Sequence, residues 1–303
     1  MHARRLFRLV VTPSALMYLL VGFGGGLLWL SVAARVPGLT ASSPWGAGIV
    51  DAPRPLAVSS TGRVSLQEAE ESVRRFTEAP GLALDGGLQT EGEESRRGEL
   101  YYLESASPTP GDDFFKVDAR TGEVIEATFR SRMVPSAGAT DLTLADAETI
   151  AVQFARSRFW GFDRLVLVDR SVRTSDNGTS YTFRWNQLAQ GSRAELPVSV
   201  SVSVMSGSRE VFWYLGQRDQ LQIDTRPAVE RAQAVDTARA WLRPRDQRWE
   251  LSQPDSVRLQ VLYDDDDRQQ LVWSVVFRAR QDGPRSSIRL LIDAQNGRLI
   301  QGV

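Results

Sequence analysis

The stretch that decides the fold is Val117-Asp118-Ala119-Arg120-Thr121-Gly122-Glu123-Val124, and a related stretch, Ile292-Asp293-Ala294-Gln295-Asn296-Gly297-Arg298-Leu299, lies near the C-terminus. Each stretch predicts a strand, a tight turn and a second strand. The aspartate carboxylate can accept hydrogen bonds from turn amides, and the glycine can adopt a positive φ without a Cβ clash. A degenerate third copy runs from 202 to 211, with Gly207 at the glycine position and Ser203-Val204 in place of Asp-Ala. The sequence therefore predicts three occurrences of one supersecondary unit.

An amphipathic helix with a shared spacing of apolar residues precedes each predicted hairpin. Ser65 with Glu68 forms the pattern of a capping box at the start of the first helix, and Thr143 with Asp146 repeats it at the second. The third helix is predicted at 228–242. Agreement position by position indicates a genuine repeat. The corresponding apolar residues are Leu66, Ala69, Val73 and Phe76, then Leu144, Ala147, Ala151 and Phe154, then Ala234, Ala238 and Trp241.

About four short strands follow each helix, identified by alternating or β-branched residues between turn signals. A sheet of that size can be covered on one face by one helix. The predicted fold class is therefore α+β, with three repeated units of one helix packed on an antiparallel β-sheet, preceded by one transmembrane helix. The units are placed at 63–134, 142–217 and 227–303, because Pro, Gly and polar residues interrupt the pattern between them.

The first 62 residues predict a membrane anchor and a linker. A basic segment, 1–14, precedes an uncharged apolar run at 15–34, which is long enough to span about 30 Å as a helix. The arginines before the run favour a cytoplasmic N-terminus and an extracytoplasmic C-terminal part. Residues 35–62 have the composition of a linker. Two alternatives remain open: a signal peptide cleaved after Val32-Ala33-Ala34, and a buried core helix.

Composition restricts the chemistry of the chain. The 303 residues include no cysteine and a single histidine, His2, and their formal net charge is −1. Disulfides, thiolate nucleophiles, Ser–His pairs and histidine metal sites are therefore excluded from the part after the apolar run. The charge and the lack of a basic stripe also argue against a nucleic-acid partner.

The helix spacing and the two hairpins at 117–124 and 292–299 resemble the PepSY family and proteins with repeated PepSY-like units. The resemblance covers residues 63–303, and the second unit departs from it at the hairpin. It implies a binding or regulatory role without catalytic residues. Members occur as pro-segments of secreted metallopeptidases and as extracytoplasmic parts of membrane-anchored proteins.

Few other residues are candidates for a site. Asp264 to Asp267 is interpreted as a solvated turn rather than a calcium site, because calcium loops space their ligands at alternate positions. Phe159-Trp160-Gly161-Phe162 is either a partly exposed interface anchor or part of the core. Most of Trp185, Trp213, Trp241 and Trp273 are expected in the core rather than as anchors for a sugar or a partner. Asn177-Gly178-Thr179 is interpreted as a hairpin turn rather than a glycosylation site. No catalytic, cofactor-binding or metal-binding residue is assigned.

The resulting expectation is a non-catalytic, single-pass membrane protein whose extracytoplasmic part binds a peptidase or a membrane signalling protein, without a cofactor. The alternatives are a carboxylate-dependent hydrolase of the cell envelope and a purely structural scaffold.

Overall fold

The α+β class predicted from the sequence is confirmed in the computed structural model. The structure describes residues 62–90, 98–106, 112–133, 142–175, 178–244, 250–251, 253–278 and 287–302. Within these ranges there are three α-helices: α1 (Leu66–Thr77), α2 (Leu144–Arg158) and α3 (Arg231–Leu242). Two short 3-10 helices are Arg130–Met133 and Phe162–Arg164. None of the helices in the described ranges is long and apolar enough to cross a membrane. The anchor predicted at 15–34 lies outside them.

The described strands follow the helices in groups of four. The group after α1 comprises β1 (Leu84–Thr90), β2 (Glu99–Ser105), β3 (Phe114–Asp118) and β4 (Val124–Thr128). The group after α2 comprises β5 (Val166–Ser175), β6 (Gly178–Leu188), β7 (Glu195–Met205) and β8 (Glu210–Arg218). The group after α3 comprises β9 (Ser256–Tyr263), β10 (Gln269–Arg278), β11 (Ser287–Asp293) and β12 (Leu299–Gly302).

All twelve strands belong to one sheet. Its main order is β1-β2-β3-β4-β8-β7-β9-β10-β11-β12, and β5 and β6 extend from β7 on a separate branch. The first and second groups join through antiparallel pairing of β4 with β8. The second and third groups join through one parallel bridge, between Glu195 of β7 and Gln260 of β9. Edge pairing, which satisfies backbone groups that an open strand would expose, therefore connects the three groups.

Two hydrophobic cores lie against this sheet. Helices α1 and α2 share the first core with residues of β2, β3, β4, β6, β7 and β8. Phe76 of α1 meets Phe154 of α2 with ring centroids 5.7 Å apart, and Tyr214 of β8 lies 5.0 Å from Phe76. Helix α3 packs in the second core with β9, β10 and β11. The apolar spacing thus identified the buried faces, although Leu66, at the first position, is 38% exposed.

The caps predicted for the first two helices both form. Ser65 Oγ accepts a hydrogen bond from the Glu68 amide at 3.2 Å, and the Glu68 carboxylate accepts one from the Ser65 amide at 2.7 Å. Thr143 Oγ1 likewise accepts from the Asp146 amide at 3.2 Å. Glu230, the cap of α3, makes no such side-chain hydrogen bond. The first two helices therefore begin where the sequence pattern placed them.

The residue before each helix cap is held to a strand by a hydrogen bond to its carbonyl oxygen. In every case the donor is an aromatic side chain on the second strand of the following group. The aromatic ring packs in the core while its polar group reaches the backbone. The three pairs are Tyr101 Oη to the carbonyl of Val64 (2.7 Å), Tyr181 Oη to Leu142 (2.6 Å) and Trp273 Nε1 to Val229 (2.8 Å).

The amide of the same residue is held by the turn between the third and fourth strands. The Val64 amide donates to the carbonyl of Ala119 at 2.7 Å, and the Val229 amide donates to Ala294 at 2.9 Å. The Leu142 amide instead donates to the side-chain oxygen of Ser206 at 2.9 Å. We call this pair of hydrogen bonds, one to the carbonyl and one from the amide, the helix clasp.

The helix clasp corrects the sequence alignment of the second hairpin. Arg209, not Gly207, has the positive φ of the turn, at 57°, close to the 69° of Gly122. The Arg209 amide donates to the Met205 carbonyl at 3.0 Å, as Gly122 donates to Asp118 at 2.8 Å. Met205-Ser206 therefore occupies the Asp-Ala position, and this turn has the same length as the turn from Asp118 to Gly122. The glycine was misleading because a non-glycine residue occupies the left-handed conformation here.

Candidate functional site

The aspartates of the two closing turns stabilise the turns themselves. Asp118 Oδ1 accepts hydrogen bonds from the amides of Arg120 and Thr121, both at 2.8 Å. Asp293 Oδ1 accepts from the amides of Gln295, at 2.7 Å, and Asn296, at 3.2 Å. These are Asx-type turns, in which a carboxylate replaces a backbone acceptor. Both carboxylates are therefore engaged in the fold.

The run Asp264 to Asp267 is the turn between β9 and β10. Asp264 Oδ1 accepts from the amides of Asp266 (3.0 Å) and Arg268 (2.8 Å), and Oδ2 accepts from Gln270 Nε2 (2.9 Å). The backbone hydrogen bond from Arg268 is the largest of the effects that lower the pKa of Asp264. Across the described ranges, the histidine, aspartate and glutamate side chains form no group of three or more that could hold a metal ion.

The segment Phe159 to Phe162 belongs mainly to the core. Phe159 is 1% exposed and Phe162 is 6% exposed, whereas Trp160 is half-buried. The Arg218 guanidinium lies 4.2 Å from the Phe159 ring centroid and donates to the Trp160 carbonyl at 2.8 Å. Arg218 also pairs with Glu123 of the first group at 3.2 Å. The interpretation of this segment as an exposed aromatic anchor is therefore wrong for both phenylalanines.

The remaining predicted residues are structural or outside the described ranges. Trp185 and Trp273 are buried as expected, while Trp213 and Trp241 are half-buried. His2 and Asn177 lie outside the described ranges. A cleft of about 420 Å³ adjoins the start of α1. Its polar side chains already pair with one another, as Arg63 does with Glu99 at 2.9 Å.

A charged cluster at the junction of the second and third groups has no counterpart in the sequence analysis. Glu195, at the start of β7, is 6% exposed. Its Oε2 accepts hydrogen bonds from Arg184 Nη2 of β6 at 2.8 Å and from Gln260 Nε2 of β9 at 2.7 Å. Burying a carboxylate is costly unless it is paired and hydrogen-bonded. Glu195 meets both conditions.

Two further arginines extend this cluster across the junction. Arg258 of β9 pairs with Asp169 of β5 at 3.0 Å and lies 3.7 Å from Glu195 Oε1. Arg289 of β11 lies on the same face of the sheet as Arg258, because Arg258 pairs with Ser274 of β10 and Ser274 pairs with Leu291, two residues from Arg289. The charges of Arg184, Arg258, Asp169 and Glu195 act on its guanidinium. Desolvation is the main cause of its lowered pKa, and the two neighbouring guanidinium groups come next. We call Asp169, Arg184, Glu195, Arg258 and Arg289 the arginine cluster.

The sequence contained only a weak signal for the arginine cluster. Its members are spread from 169 to 289 over five strands. Arg184 stands between Phe183 and Trp185, both buried, so alternation along a strand would have placed it on the opposite face. Nothing local distinguishes Glu195 or Arg289 from other charged residues, because their proximity depends on how the strand groups join.

Within the part of the chain that the structure describes, fold and site together define an α+β protein with three α-helices, one large sheet and a charged junction. No protein-family model matches the sequence, and no curated protein is detectably similar to it. Among solved structures, the Bacillus megaterium YpeB C-terminal domain is similar, with a TM-score of 0.49 and 16% sequence identity. The similarity covers 80% of this chain and 97% of that chain. At this level it assigns neither a family nor a function.

Proposed function

We propose that this chain is a non-catalytic, membrane-anchored binding and regulatory module built from three PepSY-like units. The units comprise α1 with β1–β4, α2 with β5–β8 and α3 with β9–β12. The partner is a protein, either a peptidase or a membrane signalling protein. The extracytoplasmic placement rests on the sequence, through the basic segment 1–14 and the apolar run 15–34.

The helix clasp is the observation that carries this proposal. It recurs at the same place in each unit, with an aromatic donor on the second strand and an acceptor in the closing turn. General packing of helices on a sheet does not require this arrangement. Its recurrence with different side chains, tyrosine in two units and tryptophan in the third, supports three copies of one unit, as the PepSY resemblance implies.

The use of the acidic residues supports binding over catalysis. Asp118, Asp264 and Asp293 are engaged by turn amides, and Glu195 is buried against Arg184 and Gln260. A carboxylate acting as acid or base needs access to a substrate proton. At the junction of units two and three, positive charge exceeds negative charge, which suits recognition of a partner.

The proposal is tested by cross-linking the full-length protein in living cells and identifying captured proteins by mass spectrometry. We expect one peptidase or signalling protein to be enriched over a control in which an unrelated protein carries residues 1–62. Equal capture by the control would contradict the proposal. Hydrolysis of an envelope polymer by the purified protein, lost when one carboxylate pair is changed, would establish the hydrolase alternative instead.

A further inference from the structure

We propose that the arginine cluster binds an oxyanion, and that its natural ligand is a carboxylate in an acidic segment of the protein partner. The second half of this inference rests on the proposed function. The first half rests only on the charges, distances and exposure of side chains at the junction of units two and three.

The charge balance of the arginine cluster favours an anion. It contains the guanidinium groups of Arg184, Arg258 and Arg289 and the carboxylates of Asp169 and Glu195, which leaves one positive charge in excess. Guanidinium groups present several donors in a planar arrangement that matches carboxylate and other oxyanions. An additional carboxylate would neutralise the excess.

The cluster is held in place before any ligand binds. The buried carboxylate of Glu195 fixes Arg184 at 2.8 Å, and Asp169 fixes Arg258 at 3.0 Å. The side chains of these two arginines nevertheless remain 32% and 28% exposed. Donors that are already oriented and still accessible lose little conformational entropy when they bind.

Arg289 is the group that an anion would engage most. It is exposed, and within the described ranges its side chain has no hydrogen bond or ion pair, whereas the side chains of Arg184 and Arg258 have both. Its charge is opposed by those two neighbours, and its guanidinium is partly desolvated, so its pKa is lowered. An oxyanion between Arg289 and the paired arginines would turn this repulsion into attraction.

A purely structural role is the competing explanation. The pairs Arg184–Glu195 and Arg258–Asp169 tie units two and three together, and they would do so without a ligand. Arg289 separates the two explanations, because removing its charge leaves both ion pairs intact. A structural cluster predicts that Arg289→Gln changes little except to relieve repulsion. A binding site predicts loss of anion affinity.

Sulfate titration of the full-length protein in detergent, at constant ionic strength balanced with chloride, measures this difference. The variants are Arg289→Gln and the matched control Arg298→Gln. The control removes the same charge from an exposed arginine in the turn between β11 and β12. Calorimetry and the thermal midpoint report binding. We expect sulfate to bind the unmodified protein and the control with the same affinity. We expect it to bind Arg289→Gln at least about tenfold more weakly, which corresponds to about 1.4 kcal/mol of binding free energy.

A second arm identifies the source of the oxyanion. An uncharged-ended peptide with two glutamates between glycines should compete with sulfate, and the same peptide with glutamines should not. The oxyanion site is overturned if sulfate raises the thermal midpoint of the protein no more than chloride does. It is also overturned if sulfate stabilises Arg289→Gln and Arg298→Gln equally. Sulfate binding without competition by the glutamate peptide overturns the carboxylate assignment. Either failure leaves in-cell capture of a partner unaffected, so the proposed function is judged separately.

Discussion

Replacing Tyr101 with phenylalanine removes only the hydroxyl that holds the start of α1. That hydroxyl donates to the Val64 carbonyl at 2.7 Å, and the two residues are 5% and 2% exposed. Because water cannot readily reach the carbonyl, the cost includes leaving a buried acceptor unsatisfied. We expect a loss of about 1.5–3 kcal/mol in the free energy of unfolding. Tyr181→Phe should cost less, about 0.5–1.5 kcal/mol, because Tyr181 is half-buried and water can partly replace its hydroxyl.

Tyr214→Phe is the matched control for this prediction. The Tyr214 hydroxyl is fully buried and has no hydrogen-bond partner among the residues that the structure describes, and desolvation raises its pKa. Removing an unsatisfied buried hydroxyl should leave stability unchanged or increase it by up to about 1 kcal/mol. Tyr101 and Tyr214 belong to the same core, so one unfolding transition reports on both.

Urea unfolding of the full-length protein in detergent, followed by circular dichroism, measures these differences. The reasoning is refuted if Tyr214→Phe destabilises the first core as much as Tyr101→Phe does. It is also refuted if Tyr101→Phe has no effect, because the hydroxyl would then contribute nothing to the clasp.

The remaining predictions concern turns, acid stability and topology. Gly297→Val should lower the free energy of unfolding by about 1–2 kcal/mol, because Gly297 has a φ of 75°. Gly207→Ala should leave stability unchanged, and Arg209→Gly should increase it by up to about 1 kcal/mol. Urea midpoints would contradict the corrected alignment if Gly207→Ala were the costly change. The pKa of Asp264 is lowered from its ordinary 3.8. Its contribution to the stability of the fold is therefore present above pH 3.8 and is lost as the pH falls through the lowered pKa. Urea midpoints between about pH 5 and 2 should therefore vary less in Asp264→Asn than in the unmodified protein; an unchanged pH profile argues against this assignment. Protease added to open spheroplasts should digest the chain after residue 36. Cells that are still sealed by a second membrane should be the only ones in which the chain is spared. Protection in open spheroplasts would contradict the predicted orientation.

Much of the local structure could be predicted because its signals are local. Ser65 with Glu68 specifies a helix start through two hydrogen bonds within four residues, and Asp118 with Gly122 specifies a turn in the same way. The second turn was misaligned because its left-handed residue is Arg209, and sequence patterns identify that conformation mainly through glycine. The second turn is also fixed by the strands that pair with it and by the hydrogen bond between Ser206 and Leu142. These partners come from distant parts of the chain.

The joining of the three strand groups and the charged site could not be predicted for a related reason. The pairing of β4 with β8 and the bridge from Glu195 to Gln260 depend on which strand edges meet, and edge strands carry little sequence information about their partners. The arginine cluster exists only once those edges have joined. The aromatic segment at 159–162 was ambiguous for a different reason. Its signal is local, but an apolar sequence fits both a core and an interface.

Photo-cross-linking in cells at Ser287 tests the central claim most directly. Ser287 is exposed on β11, on the same face as Arg289, two residues away. A benzoylphenylalanine placed there should give one discrete adduct with a peptidase or membrane signalling protein, and Arg289→Gln should abolish it. The same probe at exposed Gln295, in the adjacent turn, should give none. Equal adducts from both positions, or none from Ser287 when its expression and folding are normal, would contradict the account of this chain as a binding module that engages its partner through the arginine cluster.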